Sequence, residues 1–584
     1  MKEKLRTILH TAWHEPRHFF LWLALLSICG FAITAVGINL PGPNLLVGAV
    51  AIASMLCFLG SILAFILAWI PPVRRFLSWL LRWRFLALSC LVTLIALFYA
   101  IENWRGHRAW QDFKHDREAK GEQFDMANLI PPPVPGDENF FESPLWSDLH
   151  FAETNGTVVW NDKKWEERVI FSRFPPKSHD VPSESNWMKS QHVDLAAWQA
   201  FYRGSNNLVS TENPADYFPV GKEPQSPAAD VLLALSRFKD NRQILLATST
   251  RTHARFWNNY GAGVAMQLVH LPRIKSCSQY LSLHATAALK AKDTQTALED
   301  TKIQFRLIDS IRNEPILISY LVRSGVLQIA LQPVWEGLAD RQWTEADLNA
   351  IQSELGKLDF LADYHFAIRS ERACNLWVID YIHKSGIYGF NGLFPSDSKR
   401  SQNGDEGGDN VGEAMFRLIP AGWFDQNKLS LCRGYETYVL PAVDRERHLV
   451  PPGFLAQSQA AISRQTPRPF DVISRLFLPA VIGSVARCAR TQTSVDLARV
   501  ACALERYRLA NGQFPETLDA LAPKFIEALP HDIINGQPLK YHRTQDGQFV
   551  LYSVGWNQTD DGGKVELYKE GQPDMKLGDW VWRY

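Results

Sequence analysis

Three stretches within the first 101 residues carry no charged side chain: Phe19–Ile38 (FFLWLALLSICGFAITAVGI), Leu45–Ile70 and Phe85–Ile101. At 1.5 Å per helical residue, each is long enough, or nearly so, to cross a hydrocarbon core about 30 Å thick. No other feature restricts the fold as much. Apolar helices of this length need either lipid around them or a protein core that covers every face. Three uncharged runs in succession favour three transmembrane helices over buried helices of a soluble protein. The first reads as a retained span, because it has full length and lacks the small-residue pattern of a cleaved signal.

Charge between the runs sets the expected orientation. Lys2, Lys4, Arg6 and Arg17 precede the first run, and the connection NLPGPN carries no charge. The second connection, PPVRRFLSWLLRWR, holds Arg74, Arg75, Arg82 and Arg84. Positive loops stay cytoplasmic, so the N-terminus is expected inside and everything after Ile101 outside. In a bacterium this means the inner (cytoplasmic) membrane as a partner and the bulk of the chain in the periplasm.

With 584 residues the chain exceeds a single core, and about three to four folding units are expected. Its 61 basic and 61 acidic residues balance, which argues against nucleic acid as a partner held by a basic field. Twenty tryptophans, sixteen tyrosines and 33 prolines suit packed, loop-rich structure rather than disorder. Cys29, Cys57 and Cys90 lie in the spans, while Cys277, Cys374, Cys432, Cys488 and Cys502 are scattered without a CxxC. Isolated buried thiols are expected, with one or two disulfides as the alternative.

The expected fold class is multidomain, membrane-anchored α+β. Residues 1–104 form the anchor, with spans 19–38, 45–70 and 85–101. Residues 105–139 form a charged helical stalk and a stiff linker, LIPPPVPGDE. The region 140–272 mixes strand-like runs (GTVVW, RVIFSRF) with helical ones (VDLAAWQAFYR, PAADVLLALSRF) and reads as irregular α/β. Residues 273–385 read as an α-helical domain. In WTEADLNAIQSEL, Thr344 can cap the first turn while Asp347 reaches back and Trp343 staples onto Leu348. Leu348, Ile351 and Leu355 then share a face. No repeat period near 34 residues is sustained, so an ordinary helical domain is favoured over a tetratricopeptide-like array. Residues 386–470 form a loop-rich connector that includes the polar stretch Pro395–Asp409.

The module 471–584 opens with a long helix. Val485, Ala486, Ala489, Leu497, Val500, Ala501, Leu504 and Tyr507 recur at helical spacing and give one apolar stripe, with a bend expected at Pro479. Asn511-Gly512 tolerates the left-handed conformation that ends a helix. FPETLDAL follows as a short helix, then β signals: LKYHR, a turn TQDGQ, FVLYSV, a polar loop, VELY and DWVWRY. A long helix laid on a small antiparallel sheet buries both apolar faces.

DLARVACALERYRLANGQFPETLDAL, GQPLKY and FVLYSVG, in this order and spacing, resemble the major pseudopilin of type II secretion systems and related type IV pilin-like proteins. The resemblance covers about Pro479–Tyr584. The basic leader, glycine cleavage site and Phe-Thr-Leu-x-Glu entry of that family do not precede Asp471, and Leu476–Val485 is too short to span a bilayer. The module is therefore expected as a folding unit rather than a fibre subunit. The whole layout also resembles large membrane proteins of planctomycete-type and verrucomicrobial bacteria, which implies architecture and habitat. Pseudopilins of this kind bind calcium after the Tyr-Ser-x-Gly strand, so the resemblance implies Asn557, Asp560 and Asp561 as calcium ligands, with Gly562-Gly563 letting the backbone wrap. The spacing is not an EF-hand, Trp556 stands where a small residue is expected, and a solvated turn is the competing reading.

Catalytic signatures are sparse. HExxH, GxSxG, a P-loop and paired Cys/His spacings are absent from the sequence. GAGVAM (Gly261–Met266) lacks the third glycine of a dinucleotide fingerprint. Ser178, His179 and Asp180 are adjacent, whereas a triad must converge in space. His10, His14 and His18 share a helix face and suit an interfacial helix better than a metal site. Glu371, Arg372, Asp380 and His383 read as an ion-pair network. Two functions follow as expectations: a membrane-anchored interaction or scaffold protein with envelope or secretion-system partners, or a periplasmic hydrolase with its site between Phe140 and Pro272.

Overall fold

The computed structural model describes residues 70–147, 181–183, 185–204, 214–393, 418–466, 468–569 and 571–584, strands 151–154 and 157–160, and isolated positions at 20–66 and 171–174. The spans 19–38 and 45–70 lie almost wholly outside these residues. So do His10, His14, His18, the Ser178–Asp180 run and the loop 395–409. The described chain is mostly helical, with a small antiparallel sheet near its C-terminus. It divides into two units, Met1–Asp112 with Asp380–Gln426, and Phe113–Ile379 with Asn427–Tyr584.

The first unit is organised by α1 (Pro71–Glu118), whose later residues belong to the second unit. Its 48 residues span about 72 Å. The connection PPVRRFLSWLLRWR, expected as a loop, is helical: prolines suit a first turn, where amide hydrogens have no partner, and Leu, Arg and Trp then propagate the helix. Along the third span, Leu86, Leu88, Leu91, Val92, Leu94, Ile95, Leu97, Phe98 and Ile101 are all exposed. At 100° per residue they cover about two thirds of the circumference. Ser89, Thr93, Ala96 and Ala100 form a small-residue stripe on the rest. C-terminal to the span, Gly106 meets the backbone of Gly422 so closely that a Cβ on either would overlap the other chain segment. Trp423 Nε1 donates to Glu102 at 2.9 Å, and Phe98 meets the Trp423 ring edge-on at 6.3 Å.

In the second unit, one antiparallel hairpin, β1 (Phe151–Thr154) and β2 (Thr157–Trp160), precedes α2 (Leu195–Tyr202), α3 (Pro227–Leu235) and α4 (Lys239–Thr248). Asp194 and Ser226 cap α2 and α3 with side-chain oxygens. The helical body follows: α5 (His270–Lys290), α6 (Thr294–Ser310), α7 (Leu317–Ala339), α8 (Glu345–Gly356) and α9 (Phe360–Leu393, bent at Gly386), whose residues from Asp380 onward belong to the first unit. α5, α6 and α7 pack on one another. The capping box at Thr344 and Asp347 forms, and Leu348, Ile351 and Leu355 are fully buried. Trp343 seats its indole against Gly337 of α7 and donates to the Val334 carbonyl at 3.1 Å. Within 418–470 the described chain forms α10 (Ala421–Gly434) and α11 (Pro452–Arg464).

α12 (Val472–Asn511) begins after Asp471, contains Pro479 and ends at Gly512, whose φ is 82°. It packs on α7 and α8 on one side and on β4 and β7 on the other. Sheet order is β3 (Lys540–Arg543), β4 (Phe549–Ser553), β7 (Trp580–Arg583), all antiparallel, beside a β5 (Val565–Leu567)–β6 (Pro573–Gly578) hairpin. The helix was expected to bury one stripe. Instead nearly every residue from Thr491 to Glu505 is buried, because two layers enclose it. Polar residues on the helical-layer side find partners there: Gln492 Oε1 accepts the Phe360 amide at 2.8 Å and Tyr364 meets Ser484 at 2.9 Å. The C-terminus closes the core, since Trp335 Nε1 of α7 donates to the Arg583 carbonyl at 2.8 Å.

Three described helices are long and apolar enough to cross a membrane: Leu86–Glu118 within α1, α7 and α12. None of the apolar window of the first is buried, against 67% for α7 and 44% for α12. The latter two carry their apolar surface into the body of the second unit.

Candidate functional site

Gly555, Gly562 and Gly563 all take positive φ and shape the loop after β4. This loop carries the three residues expected to ligate calcium. Asp560 is already engaged: the Tyr552 hydroxyl donates to it at 3.0 Å, the Gly562 amide at 3.1 Å, and the Lys540 ammonium lies 3.2 Å away. The Tyr552 hydroxyl and the Gly562 amide, then Lys540, hold its carboxyl below the usual carboxylate range. Asn557 donates to Asp561 at 2.9 Å and accepts from the Thr559 amide at 3.1 Å. Asp579, which sequence reading did not single out, accepts the Asp561 and Gly563 amides at 3.3 and 2.7 Å and so fixes the loop. As arranged, these side chains satisfy one another and a lysine, and a cation at Asp560 would have to displace that lysine. Among the described residues, no group of three or more His, Cys, Asp or Glu side chains is placed to hold a metal.

The other residues read from the sequence fall into structural roles. Arg372 is fully buried, pairs with Glu122 at 2.6 Å and lies 4.4 Å from the Phe124 ring centroid, while Arg369 reaches the same carboxylate at 3.2 Å. Glu371 is half-buried nearby, with its carboxyl raised by desolvation. Asp380 and His383 belong to the first unit, where His383 stacks on Phe424 at 4.5 Å. Gly263, in the glycine-containing run, takes φ 55° and lets the Trp377 ring lie against its backbone. Cys277, Cys374, Cys432, Cys488 and Cys502 are buried free thiols, and burial pushes Cys374, Cys432, Cys488 and Cys502 up to about 12, which leaves them unreactive.

The structure also places together groups that no motif announced. His270 Nε2 meets Glu314 at 2.7 Å, Ser319 donates to the other Glu314 oxygen at 2.6 Å, and the His270 ring stacks on Phe256 at 4.1 Å. Although the residue types match a hydrolytic triad, the carboxylate sits between the other two and all are buried; the set is a packing device. Asp300 binds Arg242 at 2.6 Å through one oxygen and His284 at 2.6 Å through the other. Two acids stand out. Burial pushes Asp496 of α12 up to about 7, with Asp359 and Asp532 adding to the rise and Arg499 and Gln492 opposing it. Burial likewise pushes Glu336 of α7 up to about 7, against hydrogen bonds from Gln332 and the Val193 amide. Neither residue belongs to a sequence motif, and both lie on helices buried on more than one face.

Glu336 adjoins a cavity of about 150 Å³ bounded by α5, α7, Arg173 and residues 185–198. Amides, hydroxyls, indoles and aliphatic side chains line it, and Arg173 is the one ionisable residue among the described lining residues. Among the described residues of that lining there is no carboxylate, imidazole or thiol, so these residues offer no acid–base pair. Compared with known proteins, the chain matches no family model, no curated protein and no solved structure.

Proposed function

We propose that the chain is a membrane-anchored scaffold or interaction protein, with its N-terminus in the cytoplasm of a bacterium and its folded body on the periplasmic side of the inner membrane. The exposed apolar surface of Leu86–Ile101 carries this reading. Nine large apolar side chains facing water would each forfeit roughly 1.5–3 kcal/mol of burial, a cost that lipid removes. Arginines at 74, 75, 82 and 84 on the N-terminal side of the span support the orientation.

The C-terminal module is read as a pseudopilin-like folding unit turned to intramolecular use. Its helix is enclosed by α7 and α8 as well as by its own sheet, which supports a scaffold over a fibre subunit. Envelope or secretion-system proteins are the proposed partners. The hydrolase reading has less support, because the described residues lining the cavity that reaches into 140–272 include no acid–base pair. Protease added to intact spheroplasts should digest the body and leave an N-terminal fragment of membrane spans. A body that resists until the cells are lysed would overturn the orientation, and crosslinked membranes that return no envelope partner would overturn the scaffold role.

A further inference from the structure

Buried arginines of the second unit meet acids: Arg372 pairs with Glu122 at 2.6 Å, Arg323 with Asp363 at 3.0 Å and Arg242 with Asp300 at 2.6 Å. Arg490 of α12 meets a thioether instead, and its Nη2 donates to Met188 Sδ at 2.8 Å. Among the described residues no carboxylate lies within ion-pair distance of this guanidinium. Burial pulls its pKa down to about 10, against the Tyr568 hydroxyl and Asp574, which act on it only through space. A thioether sulfur is a weak acceptor, so a buried positive charge is left with little to bind.

The contact joins two layers. Met188 belongs to the single helical turn Trp187–Lys189, which also reaches the C-terminal sheet. Lys189 donates to the Gly571 carbonyl at 3.0 Å, and the Trp187 and Trp582 ring centroids lie 4.9 Å apart. Met188 is half-buried, and it lines both the cavity of about 150 Å³ and a second one of about 10 Å³ that Arg490 also lines. The smaller space has room for about one oxygen atom. Methionine is a side chain that can gain one: peroxide converts the thioether to a sulfoxide, whose oxygen is polar. At most methionines this change disrupts packing. Beside Arg490 it supplies the acceptor that the guanidinium lacks, and a hydrogen bond from an ionised donor is stronger than a neutral one.

We propose that Met188 is an oxidation site whose sulfoxide is held by Arg490, so that a peroxide tightens the attachment of the Trp187–Lys189 turn to α12. A sulfur lone pair attacks one peroxide oxygen, and the O–O bond breaks as the S–O bond forms. The departing hydroxide takes the proton of the transferred oxygen and leaves as water. Sulfur is oxidised to the sulfoxide and the peroxide is reduced. Hydrogen peroxide suffices as the oxidant. The site does not depend on which side of the membrane the body occupies.

Hydrogen peroxide treatment of the full chain in lipid nanodiscs tests it, with peptide mass spectrometry mapping each methionine and a thermal melt before and after. Met188→Leu keeps the volume and cannot gain oxygen, so it shows what oxidation of the other methionines does. Relative to Met188→Leu, the parent's melting temperature rises on oxidation by about 2 °C or more. Arg490→Leu removes the donor and reverses the sign, because the sulfoxide at position 188 is then a polar group without its partner. Should Arg490→Leu not fold, the comparison of the parent with Met188→Leu decides alone. The proposal is overturned if Met188 stays unmodified while the half-buried Met126, Met266 or Met575 is oxidised. A parent shift no greater than that of Met188→Leu overturns it too, as does the same rise in folded Arg490→Leu.

Discussion

Of the three described helices long and apolar enough to cross a membrane, α1 and α7 are built to opposite ends. Along Leu86–Ile101 of α1 the large apolar side chains are bare, with Leu94 64% exposed. On α7, Val326, Leu327, Ala330, Leu331 and Val334 are fully buried. Apolarity does not separate them, but the polar residues do. α7 carries a ridge at i, i+4 spacing (Tyr320, Ser324, Gln328, Gln332, Glu336), and all but Ser324 bond to another element. Tyr320 reaches the Phe360 carbonyl, Gln328 reaches Ser494 and Glu336 accepts the Val193 amide. The polar residues of the α1 span are Ser89, Cys90, Thr93 and Tyr99; Thr93 turns its hydroxyl back to the Ser89 carbonyl of its own helix, while Tyr99, near the C-terminal end of the span, donates to the Leu418 carbonyl. Inside the apolar stretch a hydroxyl is satisfied by its own helix, whereas α7 hands its polar groups to neighbours along its whole length.

The hardest test of that contrast places one arginine in each helix. Val326→Arg puts an unpaired charge where side chains are fully buried, and it should unfold the body outright, a loss of about 4 kcal/mol or more. Leu94→Arg should leave the body's urea midpoint unchanged and weaken insertion by about 2.5–3.5 kcal/mol. Tryptophan fluorescence reads the first and alkaline carbonate extraction the second. If Leu94→Arg unfolds the body, the bare face is a protein contact and the comparison fails.

Asp496 sharpens the enclosed side. Its carboxyl is raised from 3.8 to about 7, so folding favours the protonated form. The contribution is complete below pH 4 and is lost as pH rises to 7, at about 1.4 kcal/mol for each pH unit. Asp496→Asn keeps the shape and cannot ionise. It should match the parent near pH 4 and exceed it by about 3–4 kcal/mol at pH 8, measured by urea titration of the full chain at both values. An unchanged difference between the two pH values would mean that Asp496 is not enclosed.

Much of this architecture was legible because local chemistry and tertiary context agree. Thr344 and Asp347 do form their capping box, Asn511-Gly512 does end the long helix, and LKYHR, FVLYSV and DWVWRY each contain a strand. Strand β6 was missed, since PDMKLG has a proline, an aspartate and a glycine where β-branched residues would mark a strand. The arginine-rich connection Pro71–Arg84 looked like a loop because its prolines and charges mask helix-forming residues behind them. The candidate site was much less legible. Gln328, Gln332 and Trp187 belong to no motif, and Trp187 lies 141 residues before Gln328, so only the fold brings them together. Asp496 and Glu336 also belong to no motif, and only the layers packed around their helices bury them.

A smaller effect comes from two glycines of α7. A Cβ at Gly337 would meet the Trp343 indole, while one at Gly325 meets nothing within 4 Å. Gly337→Ala should therefore destabilise the body by about 1–3 kcal/mol through overpacking. Gly325→Ala should stabilise it by about 0.5–1 kcal/mol, because alanine loses less backbone freedom in a helix. Opposite signs in thermal melts support the enclosure of α7 on the Trp343 side alone, and equal signs would count against it.

The smallest expected effect concerns the loop that carries Asn557, Asp560 and Asp561. Ligand binding to the folded state alone adds about 2.7 kcal/mol when the ligand stands at a hundred times its dissociation constant. A calcium site of micromolar affinity would thus raise the melting temperature by several degrees in 1 mM calcium. The geometry predicts no such shift, because Lys540 already sits 3.2 Å from Asp560 and the Tyr552 hydroxyl takes one of its oxygens. Lys540→Ala removes the competing charge and leaves the strand β3 backbone pairing in place. If calcium stabilises the Lys540→Ala variant and not the parent, the lysine is a built-in cation that stands where the pseudopilin resemblance puts calcium. If calcium stabilises both equally, the loop rearranges around the metal and the lysine contact is incidental. If it stabilises neither, three oxygen-bearing side chains at this spacing fold a turn, and Asp579 with the two glycines is enough to hold it.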